Sequence, residues 1–166
     1  RVSTGNMNNG TNGAGTIVVG PLDNIGDAPI NDAHGYAEQT LNSLMEWYNH
    51  NSIDDNGFKV HSRVHYSSNY ENAFWDGTQM TYGDGQSNQR PLTSIDVAGH
   101  EMSHGVTEAT ANLNYFGDAG GLNESTSDIF GSSVEFFAGN ANDVGDYLIG
   151  EEIFYTYNPA TNWLRR

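Results

Sequence analysis

Cysteine is absent from this sequence of 166 residues, and Lys59 is its only lysine. Without cysteine no disulfide can stabilise the fold, so bound metal ions are the expected substitute. Six lysine and arginine residues stand against 21 aspartate and glutamate residues, which gives a formal net charge of -15. A charge of this sign argues against a nucleic acid or an anionic membrane as a partner, because both attract basic surfaces.

Long apolar runs are missing as well, since no stretch reaches the roughly 20 residues that a membrane-spanning helix needs. Arg1 begins no pattern typical of a signal peptide. High acidity suits a secreted protein, so we expect an extracellular protein from which any targeting segment has been removed. A chain of this length can bury about 70% of its unfolded surface, which is enough for one core.

Two histidines four residues apart, in His100-Glu101-Met102-Ser103-His104, are the most informative feature of the sequence. In a helix, positions i and i+4 lie on one face, so both imidazoles can direct a nitrogen at one point. Glu101 lies about 100° further round the helix, beside that point and within reach of a bound water. The spacing predicts a zinc site in which Glu101 is the general base.

A third ligand is available further along the chain. Zinc in a catalytic site takes three protein ligands and keeps one position open for water. Glu124 is the natural third ligand, and Asp128 lies on the same face of a predicted helix from about Asn123 to Ala138. Zinc-bound histidines donate their second ring N–H to a carboxylate or a carbonyl, so Asp128 is predicted to orient one of the two rings.

Apolar spacing and turn residues predict the elements before the histidine motif. Apolar residues that recur every three or four positions predict a helix from about Asn31 to Asn49. Alternation of apolar and polar residues predicts a half-buried strand from Phe58 to Tyr66. Asp76-Gly77 predicts a hairpin turn, flanked by short strands at Ala73–Trp75 and Gln79–Tyr82.

Three further segments have weaker signals. The first 20 residues are rich in Gly, Asn and Thr, and we expect one short strand there, Ile17-Val18-Val19. A loop is expected over 111–120, between the two metal-bearing helices. His61 and His65 lie on the polar face of the predicted strand, where a metal-binding pair and an ordinary solvated surface are both compatible with the sequence.

These segments resemble the thermolysin-like neutral metallopeptidases, also called gluzincins because their third zinc ligand is a glutamate. Metzincins need a glycine and a histidine after the second histidine of the motif, and those positions hold Thr107 and Thr110. The resemblance extends from about Asp27 to Phe154. It rests on the following blocks, in chain order: Asp27-Ala28-Pro29, Asp32-Ala33-His34, Val64-His65-Tyr66-Ser67, Asn72 to Met80, Tyr82 to Gly85, Ile95-Asp96-Val97, His100 to His104, Val106-Thr107, Gly121 to Glu124, Ser127 to Gly131 and Val134-Glu135-Phe136.

The resemblance implies an α+β fold in which short N-terminal strands and a hairpin pack on a helix and are followed by the two active-site helices. We expect a lead-in at residues 1–26 and a single zinc-carrying catalytic lobe at residues 27–166. By the same resemblance the protein is a secreted endopeptidase that hydrolyses internal bonds of peptides and proteins. One catalytic Zn²⁺ and one or two structural Ca²⁺ are the implied cofactors.

The resemblance also assigns roles to residues around the metal. Asn72 and the backbone oxygen of Ala73 would hold the main chain of the substrate as an edge strand does. Tyr115 would hydrogen-bond the oxyanion. Three apolar residues are assigned to a pocket for the substrate residue after the scissile bond, namely Val97, Ile149 and Leu92. Their apolar character is equally well explained if they belong to the hydrophobic core.

Calcium is implied by the acidic residues that follow the second helix. Calcium takes six to eight oxygen ligands, which carboxylates from separate elements can supply. Two residues inserted near Asn142 leave the choice between Asp143 and Asp146 open, and a solvated acidic loop is the alternative for the whole set. The ligands that the resemblance implies are Asp96, Glu135, Asp143, Asp146 and Glu151.

The sequence departs from the family at both ends. The segment before Asp27 is shorter than the β-rich region of the family. No histidine follows His104, so the histidine that stabilises the oxyanion in the C-terminal helical lobe of the family has no counterpart. The aspartate and the arginine that accompany it cannot be assigned either. We therefore expect the helical lobe to be absent.

Three alternatives follow from that expectation. A separate chain could supply the second lobe. A minimal chain could retain weak activity through zinc, Glu101 and Tyr115, because losing one oxyanion donor costs about 10²–10³ in rate. The chain could also be an inactive fragment that binds zinc and calcium. Apolar residues left exposed along the cleft would in addition predict self-association.

Overall fold

The computed structural model describes residues 1–18 and 25–160, so Val19 of the first predicted strand lies outside the described residues. The fold is α+β. Its elements are β1 (Val2–Asn6), β2 (Thr16–Ile17), α1 (Ala28–Tyr48), β3 (Val60–Tyr66), β4 (Ala73–Trp75), β5 (Met80–Gly83), α2 (Ile95–Ala109), α3 (Gly117–Ala138) and a one-turn 3-10 helix (Glu151–Ile153). Within the described ranges, no helix combines the length and the apolar character that crossing a bilayer requires.

All five strands join in one sheet, in the order β2-β1-β3-β5-β4. Strands β1, β3 and β5 run parallel to one another, and β2 and β4 pair antiparallel at the two ends. Strand β4 therefore pairs with β5 alone among the described strands. The short N-terminal strands and the hairpin that the sequence predicts thus belong to a single mixed sheet.

The first strand was missed by sequence reasoning. One strand is predicted in the first 20 residues, but residues 1–18, which the structure describes, contain two, and β1 lies inside the sheet between β2 and β3. Its sequence is mostly small and polar, so no apolar alternation reveals it. Thr4 is nevertheless fully buried, and its Oγ1 lies 3.0 Å from His34 Nδ1 in α1. This contact gives the buried hydroxyl of Thr4 a hydrogen-bond partner across the core, although the sequence pattern would place Thr4 at the surface.

Helix α1 begins three residues before the predicted position. The Asp27 side chain caps it by accepting a hydrogen bond from Ile30 N at 3.3 Å, and Pro29 occupies the first turn. The predicted turn is also present, since Asp76 Oδ1 accepts hydrogen bonds from Thr78 N at 2.9 Å and Gln79 N at 3.0 Å. These local signals explain why the predictions of α1, β3, β4 and β5 are confirmed to within a few residues.

The core lies between the sheet and helices α1 and α2. It is formed by apolar side chains that are almost completely buried: Ile30, Ala33 and Ala37 of α1, Val60, Val64, Met80 and Tyr82 of the sheet, and Ala98 and Met102 of α2. Their burial fixes one face of α2 against the body of the protein. The opposite face of α2 carries the histidine motif and meets β4 and α3.

Helices α2 and α3 approach each other closely at two glycines. A Cβ added to Gly99 would lie 3.1 Å from Gly131 Cα, and a Cβ added to Gly131 would lie 2.5 Å from the carbonyl oxygen of Asp96. Helix α3 starts at Gly117 rather than near Asn123, so the predicted loop over 111–120 is shorter than expected. Glycine is a weak helix former, which is why the sequence alone did not predict this first turn.

Candidate metal centre

The two histidines of α2 and a glutamate of α3 point at one position. His100 Nε2 and His104 Nε2 are 3.0 Å apart, and each lies 3.5 Å from an oxygen of Glu124. Ligands that are 2.0–2.2 Å from a tetrahedral zinc ion are separated by about 3.3–3.6 Å. The two histidine–glutamate separations fall within this range and the two histidine nitrogens are slightly closer together, so the three side chains could hold a common metal ion.

The outer nitrogens of the two rings face acceptors. His100 Nδ1 lies 2.8 Å from Asp128 Oδ1, and His104 Nδ1 lies 2.7 Å from Asn123 Oδ1. A proton held on each Nδ1 leaves a lone pair on each Nε2. With both rings in this tautomer, the two Nε2 lone pairs face each other at 3.0 Å and repel. A cation between them removes this repulsion, which is an independent reason to place a metal here.

Asn123 and Ser127 are residues that sequence reasoning missed. Asn123 Oδ1 is the acceptor at His104, and Ser127 Oγ lies 3.2 Å from the same Nδ1. Both are buried, and they are four residues apart on one face of α3. That helical spacing is visible in the sequence, but it becomes informative only once the orientation of the His104 ring is known.

Glu101 lies beside the proposed metal position and is almost fully buried. Ligand atoms of His100, Glu101 and His104 all lie within 4.8 Å of one another. Glu101 Oε2 accepts a hydrogen bond from the backbone N–H of Trp75 in β4, at 3.1 Å. This contact ties the end strand of the sheet to the helix that carries the histidines.

A cavity of about 550 Å³ opens over these residues. One wall is β4, and another is the loop that precedes α3. Tyr115 in this loop is 67% exposed, and its ring centroid is 5.9 Å from that of His104. The lining comprises Asn72, Ala73, Phe74, Trp75, His100, Glu101, His104, Glu108, Asn112, Leu113, Asn114, Tyr115, Asn123 and Glu124. Asn72, Ala73 and Tyr115 thus line the cavity that contains the histidine motif, and their roles toward a substrate stay a prediction.

The apolar pocket residues are not brought into this cavity. Val97 and Leu92 are core residues, with 9% and 7% of their surface exposed. Ile149 lines a separate groove of about 740 Å³ on the outer face of α3, together with Ile129 and Phe136. Glu124 borders both the cavity and this groove.

The acidic residues form a second cluster, at the far end of α2 and α3. Carboxylate oxygens of Glu135, Asp143 and Glu151 lie within 4.8 Å of one another. Asp96 is buried beside them and accepts hydrogen bonds from the backbone N–H groups of Val97, at 2.7 Å, and Gly150. The Asp146 carboxylate instead accepts a hydrogen bond from Leu148 N at 2.6 Å.

Burial and mutual repulsion raise the pKa values of this cluster. Burial raises the pKa of Glu135 to about 8, and the charges of Asp96, Asp143 and Glu151 add to the rise. The pKa of Glu151 rises to about 7 for the same two reasons. Burial also raises the pKa of Asp143 and Asp96. Converging carboxylates that resist ionisation form a site that a divalent cation would stabilise.

His61 and His65 have separate partners and do not face one point. The ring of His61 contacts Ser3 Oγ at 2.7 Å and the carbonyl oxygen of Ala14 at 2.9 Å. His65 is the only one of the two whose ring faces carboxylates, those of Asp27 and Asp84.

Comparison with known proteins decides the family. Residues 1–108 match the family model for the thermolysin metallopeptidase catalytic domain. The chain belongs to the thermolysin metallopeptidase family. It is 50% identical over 159 residues to a transglutaminase-activating metalloprotease of Streptomyces mobaraensis, with 90% of this chain and 21% of that protein covered. It is also 50% identical over 141 residues to a bacillolysin of Bacillus cereus, with 84% and 24% covered.

A solved thermolysin-family structure has the same fold. The precursor of protealysin, a metalloproteinase from Serratia proteamaculans, matches with a TM-score of 0.84 and 39% sequence identity. The match covers 92% of this chain and 49% of that chain. The chain therefore spans between about a fifth and a half of the length of these relatives.

The predicted absence of the helical lobe is wrong. Residues 111–166 match the family model for the thermolysin α-helical domain, so α3 belongs to the helical domain of the family. The prediction failed because it used a late histidine as the sign of this domain, whereas the matched part contributes Glu124. The candidate metal centre accordingly lies across the junction of the two domains, with His100 and His104 on one side and Glu124 and Asp128 on the other.

Proposed function

We propose that this chain carries the active site of a zinc-dependent metalloendopeptidase that hydrolyses internal bonds of peptides and proteins. The observation that supports this most strongly is the convergence of His100 Nε2, His104 Nε2 and the Glu124 carboxylate beside Glu101: the two nitrogens are 3.0 Å apart, and each lies 3.5 Å from a different oxygen of Glu124. Two imidazoles and one carboxylate form a ligand set typical of catalytic zinc. Bound zinc polarises a carbonyl and lowers the pKa of water from about 16 toward 7.

Glu101 would act as the general base. Its carboxylate accepts a proton from the attacking water and then passes that proton to the nitrogen of the leaving amine. The hydrogen bond from Trp75 N at 3.1 Å orients the carboxylate for this role. Asp128 and Asn123 would hold the two imidazoles in the tautomer that leaves Nε2 available to the metal.

Substrate would bind along β4. This strand pairs with β5 on one side, and its other edge borders the cavity. An extended peptide can therefore add to the sheet, with Asn72 and the carbonyl oxygen of Ala73 as main-chain partners. The Tyr115 hydroxyl would donate a hydrogen bond to the oxyanion. We propose that the groove of Ile149 takes the apolar residue after the scissile bond.

Calcium would bind at the acidic cluster. We propose one or two structural Ca²⁺ ions held by Asp96, Glu135, Asp143 and Glu151, with Asp146 as a further candidate ligand. An extracellular location, which the acidic composition and the family resemblance lead us to expect, would supply calcium concentrations high enough to fill sites of modest affinity.

A second candidate is a zinc- and calcium-binding chain with little or no activity by itself. The observation in its favour is the exposed apolar groove on α3, where Ile129 is 67%, Phe136 49% and Tyr147 81% exposed. Apolar surface of this kind tends to be covered by a partner. A second copy of the chain or a separate polypeptide is proposed as that partner, and sedimentation analysis of the purified chain distinguishes association from a monomer.

Hydrolysis of quenched fluorescent peptides by the zinc-loaded chain tests the main proposal. Substituting Glu101 by Gln should leave the bound zinc in place and lower kcat by a factor of about 10² or more. Glu46→Gln removes the same charge from the exposed end of α1 and serves as the control. If zinc binds and Glu101→Gln changes no measured turnover, the second candidate is correct and the main proposal is wrong for this chain.

A further inference from the structure

A further carboxylate lines the cavity, one helical turn beyond His104 on α2. Glu108 is exposed, lines the cavity and belongs to α2, as Glu101 does. The two residues are two helical turns apart, so they face nearly the same direction and are separated by about 10 Å along the helix. Glu108 is therefore too distant to act on the scissile bond but close enough to meet a substrate that occupies the cavity.

The tryptophan of β4 fixes this carboxylate. Trp75 Nε1 donates a hydrogen bond to Glu108 Oε2 at 2.8 Å. The indole packs on the surface of α2 where Gly105 has no side chain, since a Cβ there would lie 3.2 Å from two ring atoms. On its other side the carboxylate faces Gly77 of the hairpin, where a Cβ would lie 3.8 Å from Glu108 Oε1. The carboxylate is thus oriented by neutral groups.

No basic residue balances this charge among the residues that the structure describes. The lining of the cavity includes no lysine or arginine. The two arginines that form ion pairs in the described part do so elsewhere, Arg63 with Asp76 and Arg90 with Glu152. Glu101 and Glu124 are engaged at the metal centre, so Glu108 is the carboxylate of the cavity that remains for a ligand.

We infer that Glu108 is a specificity-determining residue that selects a lysine or arginine side chain of the substrate, about three residues before the scissile bond. An extended chain rises about 3.3 Å per residue, so the 10 Å from Glu101 corresponds to three residues. The inference rests on the proposed function, in which the residue after the bond enters the groove of Ile149. That groove lies across Glu124 from the cavity, so Glu108 faces the residues before the bond.

The kinetic test uses three peptides that differ only at the third position before the cut, which holds Arg, Gln or Glu. The wild-type chain should cleave them with kcat/KM decreasing in that order. In Glu108→Gln the preference for Arg over Glu should shrink about two- to fivefold, as expected for one exposed charge pair. The glutamine still accepts the hydrogen bond from Trp75, so the indole stays in place. Raising the salt concentration should weaken the wild-type preference.

A binding test that needs no turnover uses the same peptides with the metal-free chain. The indole N–H signal of Trp75, assigned with Trp75→Phe, should shift on titration with the Arg peptide and stay in place with the Glu peptide. Glu46→Gln, which removes an equal charge outside the cavity, should retain the wild-type response in both tests. If Glu46→Gln responds as the wild type does, the effect of Glu108→Gln cannot be due to the change in net charge.

Two results would overturn the inference. One is an equal loss of kcat/KM for all three peptides in Glu108→Gln, which would indicate a structural role alone. The other is a Trp75 signal that responds to no peptide or responds to all of them alike. If the zinc-loaded wild-type chain cleaves none of the peptides, the proposed function fails, whereas the spectrum of the metal-free chain still decides whether Glu108 selects a basic side chain.

Discussion

Gly99 of α2 and Gly131 of α3 are in contact, with only 3.1 Å between Gly131 Cα and the position that a Cβ on Gly99 would occupy. The adjacent residue His100 carries one imidazole of the metal centre, and α3 carries Glu124. The approach of the two helices at these glycines therefore sets the distance between the ligands contributed by separate helices. Any side chain placed at this contact must push the helices apart.

Gly131→Ala should lower both stability and zinc affinity. The added Cβ would lie 2.5 Å from the carbonyl oxygen of Asp96, and backbone atoms cannot turn aside as a flexible side chain can. Overpacking of this kind costs about 1–3 kcal/mol. Denaturant unfolding and a zinc competition titration measure the two effects. Gly35→Ala in α1 is the control, because no atom lies within 4 Å of its Cβ position.

The control should behave in the opposite way. Alanine is the better helix former, so Gly35→Ala is expected to stabilise the protein by about 0.5–1 kcal/mol without changing zinc affinity. Zinc binding that is unchanged in Gly131→Ala would mean that the helix contact does not set the ligand geometry.

Asp128→Asn should weaken zinc binding without unfolding the chain. The Asp128 carboxylate lies 2.8 Å from His100 Nδ1 and favours the tautomer that leaves Nε2 for the metal. Loss of such a partner lowers metal affinity by about 10–100-fold. Competition with a chromophoric chelator measures the change, and circular dichroism verifies the fold. The control Asp118→Asn lies in the first turn of the same helix and should bind zinc as the wild type does.

Removing calcium should lower the melting temperature. An ion that binds the folded state at a hundred times its Kd adds about 2.7 kcal/mol to the free energy of unfolding. For a chain of this size that corresponds to about 5–10 °C. The difference should vanish in Asp143→Asn, because Asp143 belongs to the carboxylate cluster with Glu135 and Glu151. A wild-type melting curve that does not change with calcium, measured with zinc held constant, would count against these ligands.

His65 should make stability depend on pH. Its Nδ1 lies 2.6 Å from Asp84 Oδ1 and its Nε2 lies 3.2 Å from Asp27 Oδ1. Burial lowers the pKa of the imidazole, but the hydrogen bonds to the two carboxylates outweigh burial and raise the pKa above 6.5. The folded protein therefore holds this proton more tightly than the unfolded chain does. The resulting stabilisation is complete below about pH 6.5 and is lost as the pH rises through the folded-state pKa.

Comparing the wild type with His65→Gln isolates this contribution. The difference between their free energies of unfolding should be larger near pH 5.5 than near pH 8.5, roughly one pH unit or more on either side of the transition. Asp84→Asn should reduce the pH dependence but not remove it, because Asp27 remains. A difference that is constant over this range would show that the His65 proton does not contribute to stability.

Helical spacing explains why the residues of the candidate metal centre on α2 could be named from the sequence. His100, His104 and Glu101 belong to a single helix, in which sequence positions translate directly into directions. The position of Glu124 relative to them depends on the contact between Gly99 and Gly131, which no local pattern reveals. The sequence could therefore name Glu124 as the candidate third ligand but could not supply its distance from the two histidines.

Contacts between distant segments explain what was missed. Strand β1 is buried through the contact of Thr4 with His34, and the hydrogen bond between Trp75 and Glu108 joins residues of different elements. The helical domain was wrongly predicted to be absent because specific side chains were sought instead of its first helix, α3. For β1 and for the Trp75–Glu108 hydrogen bond, the deciding partner is remote in the sequence.

Anomalous diffraction at the zinc absorption edge tests the central claim most directly. One strong peak is expected between His100 Nε2, His104 Nε2 and Glu124, about 2.0–2.2 Å from each ligand atom. The peak should disappear in His104→Ala while the fold persists. The absence of a peak in zinc-loaded crystals, or imidazoles turned away from each other, would contradict the assignment of this site.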